Sequence, residues 1–117
     1  MKKIYHLSTC DTCKRIIKEL DLPDDFAKQD IKTEAITVEQ LEAMEQLTGS
    51  YEALFSKRAR LYKERNLKAQ SLTKEEYKNL ILEHYTFLKR PVILVDDAIF
   101  VGNAKKTVEA AKNVIHG

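Results

Sequence analysis

The sequence predicts an α/β protein built on a mixed β-sheet, and three observations indicate this. A strand, a helix and a second strand follow one another between residues 4 and 31, the middle of the chain is helical, and the last part holds two strands and a helix. Strands joined through a helix pair in parallel, whereas a tight turn produces an antiparallel hairpin. The economical architecture is a βαβ unit and a ββα unit sharing one sheet, with a helical insertion between them.

The first strand and helix are predicted to meet at Cys10. Apolar residues at Ile4, Tyr5 and Leu7 favour a strand, and residues 8 and 9 supply turn chemistry. Apolar residues then recur at helical spacing up to Leu20. A cluster of turn formers follows, and residues 26–31 alternate between apolar and polar as a half-buried strand does. Parallel pairing of these strands places the Cys10 loop at the carboxyl edge of the sheet, where ligands commonly bind.

The middle of the chain predicts helices with marked starting points. Thr37 with Gln40, and Thr73 with Glu76, have the spacing of capping boxes, in which each side chain bonds the other residue's backbone N–H. Residues 51–67 alternate apolar and basic side chains, which predicts short helices with a solvated basic face. We expect His84, at the end of the second capped helix, to serve in packing.

The end of the chain predicts a hairpin followed by a helix. Residues 92–95 are a continuous apolar run typical of a strand covered on both faces, and two aspartates form a turn into the strand at 98–101. Asn103 is then expected to cap a final helix with apolar residues at helical spacing.

The two cysteines are the strongest indication of chemistry. At the start of a helix, Cys10 would face unpaired N–H groups and the positive end of the helix dipole, which favour thiolate over thiol. Cys13 lies one turn further on the same face, close enough to attack a modified Cys10 and form a disulfide. The alternatives are two small buried hydrophobic residues, or a structural zinc site, although no second cysteine pair supplies four ligands.

Arg90 and Pro91 stand directly before the buried strand at 92–95. Proline at the start of a strand avoids the loss of a ladder hydrogen bond. If the two central strands are neighbours, this loop lies beside the Cys10 loop and brings Arg90 near the thiolate, which would form an anion pocket. A surface or ion-pair role for Arg90 is the alternative.

Composition limits the function classes. With 117 residues the chain is long enough for one domain with its own core, and 20 basic against 18 acidic residues leave a net charge of only +2. Because no basic stripe is present, we do not expect direct nucleic-acid binding. No signal peptide or membrane span is recognisable, so we expect a cytoplasmic protein, where a lone cysteine pair is more often catalytic than structural.

Over nearly its whole length the sequence resembles the arsenate reductase-like family (ArsC/Spx/YffB). The matching features are Tyr5-His6 followed by Cys10, the segment 54–58 leading to Tyr62, the segment 88–91, and the glycine after the hairpin. The resemblance implies one domain over residues 1–117 with a thioredoxin-like mixed four-stranded sheet in the order βαβ…ββα. The inserted helical subdomain would span approximately residues 37–88.

In the reductases of this family, a cysteine attacks arsenate and glutathione or glutaredoxin then releases arsenite. The resemblance implies that Cys10 is this nucleophile, that His6 helps to ionise it, that Arg58 and Arg90 bind the oxyanion, and that Pro91 is cis. Planar guanidinium groups hold a tetrahedral oxyanion with paired hydrogen bonds, so this chemistry suits the residue types. Lys14 replaces an arginine of the plasmid-type enzymes and would serve as a third cation.

Other departures from the plasmid-type reductases point to a second role. Asn103 stands where those enzymes carry a third arginine, and Ser56, rather than Arg58, aligns with their first. Cys13 belongs to the Spx-type pattern, in which a disulfide senses thiol stress and the protein binds the RNA polymerase α-subunit.

The resemblance therefore implies an oxyanion-reducing or disulfide-reducing enzyme, with Cys13 as resolving thiol, or an Spx-type regulator switched by a Cys10–Cys13 disulfide. We expect no bound cofactor or metal, an electron donor such as glutathione, glutaredoxin or thioredoxin, and a monomer.

Overall fold

The computed structural model describes residues 1–117 and divides into two compact units. The sheet unit comprises residues 1–34 and 90–117, and the helical unit comprises residues 35–89. In chain order the strands and helices are β1 (Lys2–His6), α1 (Asp11–Leu20), β2 (Ala27–Asp30), α2 (Val38–Thr48), α3 (Arg60–Glu64), α4 (Lys74–Glu83), β3 (Val92–Val95), β4 (Ala98–Val101) and α5 (Lys105–His116). Short 3₁₀ helices span Glu52–Leu54, Leu67–Ala69 and Tyr85–Phe87.

The four strands form one mixed sheet in the order β2-β1-β3-β4, which confirms the predicted fold class. β1 and β2 are parallel, with His6 opposite Asp30, and β1 and β3 are antiparallel, with Tyr5 opposite Val92. The β3–β4 hairpin turns at Asp96, whose positive φ of 53° is typical of such tight turns. The C-terminal end of β1 therefore lies beside the C-terminal end of β2 and the N-terminal end of β3.

One face of the sheet carries the core against α1 and α5. The buried side chains of this core come from the two central strands and the apolar faces of both helices; they include Ile4, Ile93, Ile16, Leu20, Val108 and Ala111. Every residue of β3 is buried, in agreement with its continuous apolar sequence. The ends of the two helices are joined where the His116 ring Nε2 lies 2.6 Å from the Leu20 carbonyl oxygen.

The helical unit begins its longer helices where the sequence predicts. Both capping boxes are present, Thr37 with Gln40 at α2 and Thr73 with Glu76 at α4. The unit packs around Phe55, whose ring contacts Tyr62 and Tyr77 edge-on and stacks on Phe87 at a centroid distance of 5.2 Å. These contacts give the unit its own apolar centre.

Two predicted details are wrong at helix ends. Asn103 does not cap the last helix, because the chain leaves β4 through Gly102 (φ 94°) and Ala104 accepts the first helical hydrogen bond, from the Val108 N–H. α4 ends at Glu83 because His84 is extended, although its ring does pack, stacking on Tyr85.

No helix of the protein combines the length and the apolar character needed to cross a membrane.

Candidate active site

Cys10 is the N-cap residue of α1 and lies directly after a tight turn. The turn closes with a 3.0 Å hydrogen bond from the Cys10 N–H to the Leu7 carbonyl, and the helix begins with a 3.1 Å bond from the Lys14 N–H to the Cys10 carbonyl. The backbone of Cys10 is extended (φ −93°, ψ 114°), and its side chain is partly exposed. This is the position at which a side chain meets the free N–H groups of the first helical turn.

The surroundings of Cys10 favour its ionised form. Burial opposes ionisation, but the backbone N–H of Cys13, the Cys13 thiol, the positive charge of Arg90 and the backbone N–H of Thr12 act against it, and together they lower the pKa of Cys10. Each of these groups stabilises negative charge on the sulfur, three as hydrogen-bond donors and one as a cation. A larger fraction of Cys10 is therefore thiolate at neutral pH than in an ordinary cysteine.

Cys13 has the opposite character. It is fully buried, and burial, together with the charge and hydrogen bond of Cys10, raises its pKa to about 11, although the N–H of Leu7 donates to its sulfur. Cys13 therefore remains a thiol at neutral pH and donates its S–H to the Cys10 thiolate. The Cys10 sulfur is thus the nucleophile, and the Cys13 thiol is its hydrogen-bond donor. Both cysteines are free, with no disulfide between them.

Arg90 and Pro91 reach this site because β1 and β3 are neighbours. Their antiparallel pairing places the residues before Val92 beside the residues after Tyr5. Arg90 is partly exposed, and its charge acts on both cysteines. The Arg90–Pro91 peptide bond is cis, the isomer that the family resemblance implies, and the Pro91 carbonyl accepts a 2.9 Å bond from the Gly102 N–H. The structure thus brings Cys10, Cys13 and Arg90 together.

His6 occupies the last position of β1, opposite Asp30 on β2. Burial lowers the pKa of His6, and the nearby Asp30 carboxylate only partly opposes this. The imidazole is therefore mostly neutral at pH 7, as a proton acceptor must be. The charges that act on His6 belong to Asp30 and Lys28 of β2, and its predicted part in ionising Cys10 stays a prediction.

The other two predicted cations are exposed. Lys14 lies on the first turn of α1, and Arg58 lies in the turn before α3, within the helical unit. Their predicted contribution to oxyanion binding stays a prediction.

Sequence reasoning missed the hydrogen bonds that hold the Cys10 loop. An Asp30 carboxylate oxygen accepts a 3.3 Å bond from the Ser8 N–H, and the Ser8 hydroxyl also donates to this carboxylate. The signal that could have found the pair is their placement, because Asp30 ends β2 and Ser8 follows the carboxyl end of the adjacent parallel strand β1. The N–H groups of Thr12 and Cys13, by contrast, are among the unpaired N–H groups that the sequence predicts at the start of α1.

The site has the components of thiol chemistry. A partly exposed thiolate can attack an electrophilic atom, a guanidinium can stabilise the negative charge of an anionic substrate, and a buried second thiol can close a disulfide. No three His, Cys, Asp or Glu side chains of the protein come together in a group that could hold a metal ion.

The sequence of this chain is similar to those of known proteins. The model of the ArsC family matches residues 5–111. The global transcriptional regulator Spx 2 of Bacillus anthracis is 27% identical over 105 residues, which cover 87% of this chain and 79% of that protein. An uncharacterized protein of Haemophilus influenzae is 30% identical over 115 residues, covering 95% of this chain and 98% of its own length.

Solved structures share the fold. The crystal structure of an ArsC family related protein from Bacteroides fragilis superimposes with a TM-score of 0.76 at 25% sequence identity, covering 94% of this chain and 97% of that one. The mixed four-stranded sheet with its helices is thus thioredoxin-like, as the resemblance implied.

Proposed function

Because the chain belongs to the ArsC family, we propose that it is a thiol-dependent oxidoreductase whose nucleophile is the Cys10 thiolate. One observation carries the proposal: the Cys13 thiol, two backbone N–H groups and the Arg90 guanidinium all act to ionise a single, partly exposed sulfur. A cysteine kept only for packing needs none of these partners, whereas each of them favours the thiolate form that a nucleophile requires.

Arsenate is the substrate that the family resemblance favours. The Cys10 sulfur forms a bond to arsenic(V) as water leaves, and Arg90 stabilises the negative oxygens. The thiolate of glutathione or of a glutaredoxin then attacks the Cys10 sulfur. The S–As bond breaks, its electron pair stays on arsenic, and arsenite leaves while a mixed disulfide forms. A further thiol, from glutathione, glutaredoxin or thioredoxin, returns Cys10 to its reduced state.

Cys13 can supply the second thiol from within the protein. Part of its raised pKa comes from the charge on Cys10. When Cys10 is bonded to substrate that charge is gone, so the pKa of Cys13 falls at the moment when its attack is required. Attack on the Cys10 sulfur then gives a Cys10–Cys13 disulfide, which the external reductant opens.

The test is arsenate turnover, followed as NADPH oxidation coupled through glutathione and glutaredoxin or through thioredoxin. We expect turnover by the wild-type protein and none by Cys10→Ser, whose hydroxyl is a far weaker nucleophile. Equal rates for the two proteins would exclude the proposal. Incubating the reduced protein with glutathione disulfide, without arsenate or coupling enzymes, and measuring the Cys10 mixed disulfide by mass spectrometry tests the alternative of a thiol protein that acts only on disulfides.

The ionisation of Cys10 can be measured separately. Alkylation by iodoacetamide follows the thiolate fraction, so we expect its pH midpoint below the ~8.5 of an ordinary thiol. Fragment mass spectrometry assigns the label to Cys10 or Cys13. A midpoint for Cys10 at or above ~8.5 would show that the thiolate is not activated.

A second function is favoured by the contact between the two cysteines and by the relative named as a global transcriptional regulator. In this alternative the Cys10–Cys13 disulfide is a redox switch, and the partner implied by the family resemblance is the RNA polymerase α-subunit. A pull-down with that subunit under oxidising and reducing conditions tests this role. Absence of binding in both states would remove it.

A further inference from the structure

The carboxylate of Asp30 holds the loop that leads to Cys10. Asp30 is the last residue of β2, and one carboxylate oxygen accepts bonds from the Ser8 N–H at 3.3 Å and from the Lys32 N–H at 3.1 Å. The Ser8 hydroxyl donates to the same carboxylate. Two donors of one residue in the β1–α1 loop are thus satisfied by a side chain from the neighbouring strand.

Ser8 lies within the turn that sets the position of Cys10. The turn spans Leu7 to Cys10 and closes with the 3.0 Å bond between their backbones. Leu7 also contacts the site on its other side, because its N–H donates to the Cys13 sulfur. The turn is therefore fixed to α1 through Cys13 and to β2 through Asp30.

The position of this turn matters to the Cys10 sulfur because hydrogen bonds weaken steeply with distance and misalignment. The donors that act on the sulfur are the N–H groups of Thr12 and Cys13 and the Cys13 thiol, all of which belong to α1. Cys10 itself is extended and outside the helix. Its backbone is held to the helix by the bond from the Lys14 N–H and to the preceding turn by its own N–H, so the approach of the sulfur to those donors depends on the turn as well as on the helix.

We propose that Asp30 is a positioning residue for the Cys10 nucleophile, acting through Ser8 and the turn from Leu7 to Cys10. The inference rests on the proposed function, in which Cys10 is the reacting thiolate.

Losing the position of the turn and losing the charge of Asp30 would shift the pKa of Cys10 in opposite directions, which makes the proposal testable. The groups that act on the Asp30 carboxylate are Ser8, Lys32 and His6. A negative charge acting through space would raise the pKa of a nearby thiol, so loss of the Asp30 charge alone would lower the pKa of Cys10. Loss of positioning weakens the donors to the sulfur and raises it.

The experiment measures the pH profile of Cys10 alkylation by iodoacetamide for the wild-type protein, Asp30→Ala and Asp30→Asn. Asp30→Ala removes both acceptor oxygens, so we expect its midpoint to rise by about half a pH unit or more. Asp30→Asn loses the charge but keeps one acceptor oxygen in the same place, so its midpoint should lie at or slightly below the wild-type value. The matched control is Asp25→Ala, which removes an exposed carboxylate of the same unit, paired with Lys2, and should leave the profile unchanged.

Urea unfolding of each variant separates positioning from simple destabilisation. An Asp30→Ala protein that is less stable but has the wild-type alkylation profile would overturn the proposal, and so would a lower midpoint in both Asp30 variants. If Asp30→Ala does not fold, Ser8→Ala gives the same test, because it removes only the hydroxyl donor and should still raise the midpoint. Failure of the proposed function is a different result, namely a wild-type midpoint already at or above ~8.5.

Discussion

At the scale of single residues, the contrast between Cys10 and Cys13 is the central feature of this protein. The two thiols lie three positions apart, yet one has a lowered pKa and the other a pKa raised to about 11. The difference comes from burial and from the direction of one hydrogen bond, because Cys13 donates its proton toward a sulfur that already faces N–H groups and Arg90. Side chains of identical chemistry thus acquire separate roles from their positions on one helix.

Replacement of Cys13 tests this division directly. Cys13→Ala removes the S–H donor but keeps the backbone N–H, so the pKa of Cys10 should rise. Because Cys10 is thiolate above its pKa, alkylation should then be slower at neutral pH and approach the wild-type rate only in alkali. Cys13→Ser keeps a hydrogen-bond donor, so its alkylation midpoint should lie between those of the wild-type protein and Cys13→Ala. A Cys13→Ala profile identical to wild type would show that this thiol does not stabilise the thiolate.

At the scale of secondary-structure elements, the starts of helices show how much local sequence determines. The capping boxes at α2 and α4 were predictable because the two residues of each box lie three positions apart, and each side chain accepts a hydrogen bond from the other residue's backbone N–H. The start of α5 was not, because Gly102 redirects the chain and the helix begins at Lys105 without any side-chain cap. Local motifs predict a boundary only where the contacts that set it are local.

The contribution of one such cap can be measured at α4. Thr73→Ala removes the side-chain acceptor for the Glu76 N–H and should destabilise the protein by about 1 kcal/mol in urea unfolding. Thr73→Ser keeps the hydroxyl and should lose less. Ser71→Ala, an exposed change just before the helix, is the control and should have little effect. A Thr73→Ala protein as stable as this control would contradict the role of the cap.

At the scale of the whole molecule, the central strands determine both stability and the geometry of the site. Ile4 of β1 and Ile93 of β3 are directly opposite each other and fully buried. The pairing that buries them also brings Arg90 to the Cys10 loop. The core of the sheet unit and the neighbourhood of the nucleophile therefore depend on the same strand contact.

Ile93→Ala tests how much the contact between β1 and β3 contributes to the free energy of unfolding. Removing most of a fully buried isoleucine side chain should cost about 2–5 kcal/mol in urea unfolding, because transfer free energy is lost and a cavity remains. Val114→Ala on α5 is the control, since that side chain is 47% exposed, and should change stability by about 0.5 kcal/mol or less. A cost below about 1 kcal/mol for Ile93→Ala would show that the site can repack or is less critical than its burial suggests.

The parts of the site that follow from strand order could be predicted from the sequence. The hydrogen bonds that a side chain of β2 makes to the Cys10 loop could not. Cys10 and Cys13 were identifiable from their place at a strand-to-helix turn, and the approach of Arg90 followed from adjacent central strands. The bond between Asp30 and Ser8 joins residues 22 positions apart and has no motif. Only coordinates show that the Asp30 carboxylate bonds to this loop.

The order of the strands along the chain also has a consequence for biosynthesis. Arg90 follows Cys10 by 80 residues, and β3 cannot pair with β1 until the entire helical unit has been translated. On the ribosome, the emerging N-terminal segment therefore carries Cys10 without its guanidinium neighbour, and Cys13 without the finished core around it. The reactive sulfur gains its arginine only after the segment that holds Arg90 and β3 has been synthesised.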